Sequence, residues 1–260
     1  MTSGEIATSI GISPKKMYRL AVVSSGQRNG RRTSASPLDS RGKGVHMAFG
    51  QVSERDITRG SDVKRAATDA RACERLGLVS AVRRFSPTCE QEERDRALFL
   101  RWLDRRDCPD VSTRENDVAH LTASAWVVDT DRERALMAYH RIYDTRAWLG
   151  GHADGDFDLA RVALREVGEE SGLAHARLAS PSPVSLETLC VNGHVKRGAY
   201  VCSHLHLNLT YLIEADPAEP IRPKPDENKA VRWFEKDEVL ANVTEPWMAR
   251  WVYPKLLRLM

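Results

Sequence analysis

From about Thr68 onward, apolar residues recur at intervals of three and four. ATDARACERLGLVSAVRRF (67–85) and CEQEERDRALFLRWLDRR (89–106) both carry this spacing and predict two helices. In the second, Phe99, Leu100, Trp102 and Leu103 form a face to bury. The period then shortens to two. HLTASAWVVDT (120–130) is rich in Val, Trp and Thr and predicts a strand, with RALMAYHRI (134–142) as its hairpin partner across a charged turn. One long helical period follows at 156–171, where Leu159, Ala160, Ala163, Leu164 and Val167 form the apolar stripe. Gly172 is placed to end that helix with a left-handed cap. PVSLETLCV (183–191) and AYVCSHLHLNLTYLIEA (199–215) read as strands separated by the turn NGHVKRG, and KAVRWFEKDEVL (229–240) as a strand running into a helix. The tail EPWMARWVYPKLLRLM (245–260) is amphipathic, with Trp247, Trp251, Leu256 and Leu257 expected to pack inward and Pro254 to bend it. Helices, mixed strands, a long helix and a final helix define an α+β layered domain over 67–260.

Residues 22–66 hold no sustained apolar period and are rich in Ser, Gly, Arg and Thr, so 1–66 is expected to be a flexible basic extension. Within it, GEIATSIGISPKKMYRLA (4–21) has the cadence of a helix-turn-helix fragment around Gly11-Ile12-Ser13-Pro14. A third helix to bury such a motif is not evident, so an amphipathic tail is the favoured reading, with Met47 as an alternative start.

Composition narrows the function. An apolar content of 42% in 260 residues suits a globular core, and a net charge of +3 does not by itself imply nucleic acid. The basic excess is local: residues 1–46 carry eight Lys/Arg against Glu5 and Asp39. Cys73, Cys89, Cys108, Cys190 and Cys202 form no C-x-x-C pair, which fits reduced thiols in a cytoplasmic protein. No apolar run reaches the roughly 18 residues of a membrane span.

The chemistry concentrates in GGHADGDFDLARVALREVGEESGL (150–173). Glu166, Glu169 and Glu170 lie three and four apart near a helix C-terminus, where both mutual repulsion and the helix dipole oppose them. Arg165 neutralises one of them. Hard Mg²⁺ or Mn²⁺ would supply the missing positive charge. A solvated acidic face is the bland alternative, and the Gly150-Gly151 turn just before the helix, open to close ligand approach, tips the balance toward a site.

Gly151 followed by Arg165-Glu166-Val167-Gly168-Glu169-Glu170-Ser171-Gly172-Leu173 resembles the Nudix box, G-x5-E-x7-R-E-U-x-E-E-x-G-U with U aliphatic; eight of its nine restricted positions are present. The resemblance extends over roughly 118–245, including VRWFEKDEV near the end. It implies a mixed β-sheet sandwiched between α-helices, with helices 67–106 as an addition. It also implies Mg²⁺ or Mn²⁺ held by Glu166, Glu169, Glu170 and the Gly150 carbonyl, with Arg165 orienting a glutamate. The reaction it implies is water attack at phosphorus in the diphosphate linkage of a nucleotide or nucleoside diphosphate derivative. Glu169, Glu170 or a later acid would act as base; Glu227 sits where family members place one, and is otherwise a plain loop residue.

One box position departs: Phe157 stands where the first glutamate belongs, between Asp156 and Asp158. Reduced metal occupancy, or replacement by a neighbouring aspartate through water, are the two consequences the departure allows. Further candidates for substrate contact are Gly151, His152 beside the glycine pair, and His204 with His206 on one strand face, the last two reading more readily as hydrogen-bonded wall residues. Trp148 and Tyr143 can stack on a base or fill the core, and Asp154 can brace the loop or an outer metal shell. The expected partner is a small-molecule diphosphate, without membrane or nucleic acid, and a homodimer is left open. Rival readings are a ligand-sensing transcriptional regulator on the same domain, and a catalytically impaired nucleotide-binding domain.

Overall fold

The computed structural model describes residues 54–140, 144–196, 198–225 and 228–260. The helix-turn-helix-like fragment at 4–21, Tyr143 and Glu227 lie outside the described residues. The α-helices among the described residues are α1 (Glu54–Arg84), α2 (Glu90–Asp104), α3 (Leu159–Ser171), α4 (Pro246–Trp251) and α5 (Tyr253–Leu256). The strands are β1 (Ala119–Asp129), β2 (Arg134–His140), β3 (Thr145–Ala147), β4 (Leu149–His152), β5 (Arg177–Leu178), β6 (Ser185–Val191), β7 (His194–Lys196), β8 (Ala199–Val201), β9 (His204–Ala215) and β10 (Asn228–Glu235).

A mixed sheet runs β10-β2-β1-β9-β5, with β3 added to β2, β4 to β1 and β6 to β9. β1 and β9 lie parallel along their length, Ala119 opposite Leu205 and Asp129 opposite Ala215, while the other pairs are antiparallel. Strand alternation then decides both faces. Leu121, Ala123, Ala125 and Val127 of β1, with Leu207, Leu209 and Ile213 of β9, join a core containing Val82 of α1, Phe99 and Leu103 of α2, and Leu159, Val162 and Val167 of α3. On the other face Trp126, Val128 and Leu212 join Met248, Val252, Tyr253 and Leu256 of the C-terminal helices. The sheet is therefore covered on both sides by helices, as the resemblance to the Nudix box implies.

The C-terminal cover is pinned by charge as well as by apolar contact. Lys255 Nζ donates to Glu92 Oε1 of α2 at 2.8 Å and to Glu187 Oε1 of β6 at 3.1 Å, all three side chains buried. Burial pushes the Glu187 carboxyl above its ordinary value; at Glu92 the same burial is outweighed by hydrogen bonds from Lys255 and Thr88, and its pKa falls.

Several boundaries differ from those predicted. The tail is not one inward-facing helix: the chain breaks around Val252 into α4, α5 and a 3-10 turn at Leu257–Leu259, and this rephasing leaves Trp247 and Trp251 exposed while Met248, Val252 and Tyr253 pack inward. Residues 199–215 are two strands, because Cys202 and Ser203 leave the ladder, and the expected turn before them contains β7, paired with β8. β10 ends at Glu235 and passes through turns into a 3-10 segment, Leu240–Asn242, instead of a helix. The helix predicted from 156 starts at Leu159, since Asp158 accepts the Arg161 amide at 3.1 Å and caps it. Helix α1 begins at Glu54, well before the expected start at 67.

Candidate active site

Gly150 and Gly151 are not a turn but the middle of β4, opposite Ser124 and Ala123 of β1; the turn follows, with positive φ at Asp154 and Gly155. Both glycines are required by close approach. A Cβ on Gly150 would lie 2.5 Å from the Ala123 carbonyl oxygen, and one on Gly151 would lie 2.4 Å from Cδ of Glu166. Thus β4 is pressed between β1 and the carboxylates of α3.

Those carboxylates do not share one environment. The expected flank is largely buried: Glu166 is 8% and Glu170 4% exposed, whereas the Glu169 side chain is 46% exposed. Leu164 is only half-buried, and Val162 takes a place in the stripe that the sequence pattern did not give it. Gly172, at φ 77°, supplies the left-handed cap.

Positive groups and fixed donors hold the three acids. Arg165 donates to Glu166 Oε1 at 3.0 Å and to the His152 carbonyl at 3.2 Å, and its Nε lies 3.7 Å from Glu169. Lys224 donates to Glu169 Oε2 at 3.1 Å. Glu170 accepts from the Gly150 amide at 2.8 Å and from Asn228 Nδ2 at 3.0 Å. Burial raises the Glu166 carboxyl above its ordinary pKa, with the Glu169 charge adding to it and Arg165 opposing. Lys224 and Asn228 have no signal in the sequence: they arrive from the loop before β10 and from its first residue.

The donor set fits a hard divalent cation. Glu166 and Glu170 face β4 from α3, and Glu169 lies beside Arg165 on the same helix; Glu166 is desolvated with one partly exposed guanidinium against it, a local excess of negative charge that a hard dication suits. The Gly150 carbonyl joins them by backbone geometry: in an antiparallel ladder a residue's N–H and C=O point to the same side, and the Gly150 N–H points at Glu170.

Phe157 is buried in the core beneath α1, with the guanidinium carbons of Arg71 and Arg75 at 5.3 and 5.8 Å from its ring centroid. The added helix thus covers the position where the box carries a glutamate. Neither neighbouring aspartate is idle: Asp156 binds Arg161 through both oxygens at 2.7 and 3.0 Å, and Asp158 caps α3. Asp154 braces the loop through a two-point pair with Arg114 at 2.8 and 3.0 Å. Trp148 packs 5.8 Å from the Tyr253 ring, and its amide donates to the Tyr253 hydroxyl at 3.2 Å.

His152, His204 and His206 come together with a fourth histidine, His120, that spacing alone did not single out. Ring centroids lie 5.1 Å (His120–His152), 4.8 Å (His120–His204), 5.0 Å (His120–His206) and 5.0 Å (His152–His206) apart. Burial, with repulsion from the neighbouring imidazoles, depresses His152 to about 3 and His206 to about 2. Further along the same face, Thr122 and Ser124 donate to Asn208 Oδ1 at 3.0 and 2.9 Å, and Asn208 donates to Glu187 at 3.1 Å, extending the buried Lys255 network toward the centre of the sheet.

The NUDIX domain family model matches residues 118–256, more than half of the chain. The chain belongs to the Nudix family. No curated protein sequence matches it significantly. Among solved structures it is similar to a NUDIX-family hydrolase from Clostridium perfringens, at 20% identity and TM-score 0.40 over 54% of this chain and 98% of that one. It is also similar to a C. elegans Ap4A hydrolase, at 16% identity and TM-score 0.39 over 53% and 92%, and to the E. coli dihydroneopterin triphosphate pyrophosphohydrolase, at 15% and 0.40 over 54% and 96%.

Proposed function

We propose that this protein is a divalent-cation-dependent hydrolase that cleaves the diphosphate linkage of a nucleotide or nucleoside diphosphate derivative. The observation that carries this reading is the packing of Glu166 and Glu170 against the Gly150-Gly151 strand, with Glu169 beside Arg165 on the same helix and the Gly150 carbonyl turned to the Glu170 side. Those four groups would hold Mg²⁺ or Mn²⁺. Such an ion supplies charge neutralisation at the phosphate oxygens and a lowered pKa for the attacking water.

The chain's own residues divide the remaining work. Arg165 fixes the Glu166 carboxylate against the His152 carbonyl. Asn228 and the Gly150 amide fix both oxygens of Glu170. Glu169, the most exposed of the three, is the acid best placed to take a proton from water, with Lys224 beside it to hold negative charge of the substrate. Glu227, next in sequence to Asn228, is the second candidate base. The His152 carbonyl is held by Arg165, but its neutral imidazole faces the side of the sheet away from the glutamates together with His204 and His206, so these three rings are left out of the phosphate site.

The test is a phosphate-release screen over nucleoside triphosphates, sugar nucleotides, dinucleotides and prenyl diphosphates with Mg²⁺ and Mn²⁺. The expected result is metal-dependent turnover of at least one class, reduced about 100-fold or more in Glu169→Gln or Glu170→Gln. Metal-independent turnover, or none across the panel, contradicts the proposal.

A further inference from the structure

We propose that His120, His204 and His206 form a second metal site, distinct from the carboxylate cluster and suited to a borderline-soft dication of which Zn²⁺ is the reference case. The three side chains each offer one nitrogen, and these nitrogens lie within 4.8 Å of one another. They come from two strands: the parallel register sets His120 of β1 opposite His206 of β9, and alternation puts His204 on the same face two residues earlier. That face is the one turned away from α3, so the histidines and the glutamates use different sides of the sheet.

Hydrogen bonds fix which nitrogens are available. His120 Nδ1 lies 3.0 Å from the Asn116 carbonyl and His204 Nδ1 lies 2.8 Å from the Cys202 carbonyl. A carbonyl only accepts, so both Nδ1 atoms carry the proton and both Nε2 atoms present a lone pair. This is the arrangement in which backbone carbonyls orient metal-binding imidazoles. His120 is 4% exposed, and its Nε2 is buried without a hydrogen-bond partner among the described residues. A buried lone pair left unmatched is costly, and a cation would satisfy it.

The remaining contact has the right dimension. His204 Nε2 and His206 Nε2 are 3.2 Å apart. Two nitrogens on one tetrahedral zinc, each bonded at 2.0–2.1 Å, sit about 3.3 Å apart. Without metal, His206 donates its Nε2 proton to His204; with metal, the same neutral ring carries that proton on Nδ1, and the ion takes its place between the two nitrogens. His120 completes the set, with one of its ring nitrogens within 4.8 Å of those of the other two. Three imidazoles leave one tetrahedral position for water or a ligand oxygen, and neutral nitrogen donors select Zn²⁺ over the Mg²⁺ that the carboxylates prefer.

Full-length protein stripped with a chelator and titrated with Co²⁺, then Zn²⁺, tests the site. The expected result is one equivalent of Co²⁺ with the intense visible absorption of a tetrahedral, nitrogen-ligated ion, displaced stoichiometrically by Zn²⁺. Affinity should fall at least about 100-fold in His120→Gln and His206→Gln, with folding checked by circular dichroism, and should be unchanged in Glu169→Gln. Absence of the tetrahedral spectrum in the wild-type protein overturns the proposal whatever the variants do, as does equal affinity in the histidine variants or loss of the signal in Glu169→Gln.

Discussion

Replacing Gly151 by alanine tests the way β4 presses on the acidic cluster. The new methyl group would sit 2.4 Å from Glu166 Cδ and 2.6 and 2.7 Å from its two oxygens. Ordinary contact starts at 3.4 Å, so the 1.0 Å shortfall at Cδ must be met by retreat of the carboxylate. Backbone strain is not at issue, because Gly151 is not among the positive-φ positions. Retreat breaks the 3.0 Å bond from Arg165 and displaces an oxygen proposed to bind metal by about 1 Å, a displacement on the scale that costs about 100-fold in rate. The lost ion pair involves a partly exposed guanidinium and is worth about 1 kcal/mol at most, so Tm should move by less than about 4 °C. Mn²⁺ affinity by electron paramagnetic resonance and turnover would be measured in Gly151→Ala, Glu166→Ala and the double variant. The expected outcome is strong non-additivity: once Glu166 is truncated, the methyl group has nothing to displace. Additive losses, or Gly151→Ala at wild-type affinity and rate, would refute the reasoning.

Other substitutions probe the surroundings. Phe157→Glu places a carboxylate in the core under α1; it should destabilise the fold by about 3–5 kcal/mol in chemical denaturation and should not raise turnover. Lys255→Met leaves Glu92 and Glu187 buried without their cation and should cost about 3–5 kcal/mol, read in the same experiment. At Asp129, burial is outweighed by bonds from the Glu133 and Arg134 amides and the Arg134 side chain, so its folded pKa lies below 3.8. Its contribution is therefore present above pH 3.8 and lost as the pH falls toward the folded value. Asp129→Asn should lower the wild-type Tm at pH 7, and the gap should close on acidification below 3.8. A gap that stays constant with pH would contradict this.

The sequence revealed the acidic cluster because its parts are contiguous: Arg165 to Ser171 lie on one helix, where spacing is geometry. The strands flanking it were readable for the same reason, since alternation is local. What the sequence could not display depends on pairing. Lys224 and Asn228 reach Glu169 and Glu170 only because β10 pairs with β2, and nothing in their spacing reports this. His204 and His206 stood out as an i, i+2 pair, but their meeting with His120 needs the parallel β1–β9 register. The outward turn of Trp247 and Trp251 reflects a break at Val252, which shifts the helical phase that an unbroken tail would have kept. Phe157 looked like a defect in a motif; with α1 packed above it, it is a core residue at the junction of the added helix and the sheet.

The central claim is that Glu166, Glu169, Glu170 and the Gly150 carbonyl hold divalent cations against a diphosphate. Crystals grown with Mn²⁺ and methylenediphosphonate, measured for Mn anomalous scattering, test it most directly. The predicted result is an anomalous peak bonded to those oxygens, with the diphosphonate bridging it and Lys224 drawn from Glu169 toward the ligand. A cluster that keeps only Arg165 and Lys224 as its cations, with no Mn peak beside β4, would contradict the account.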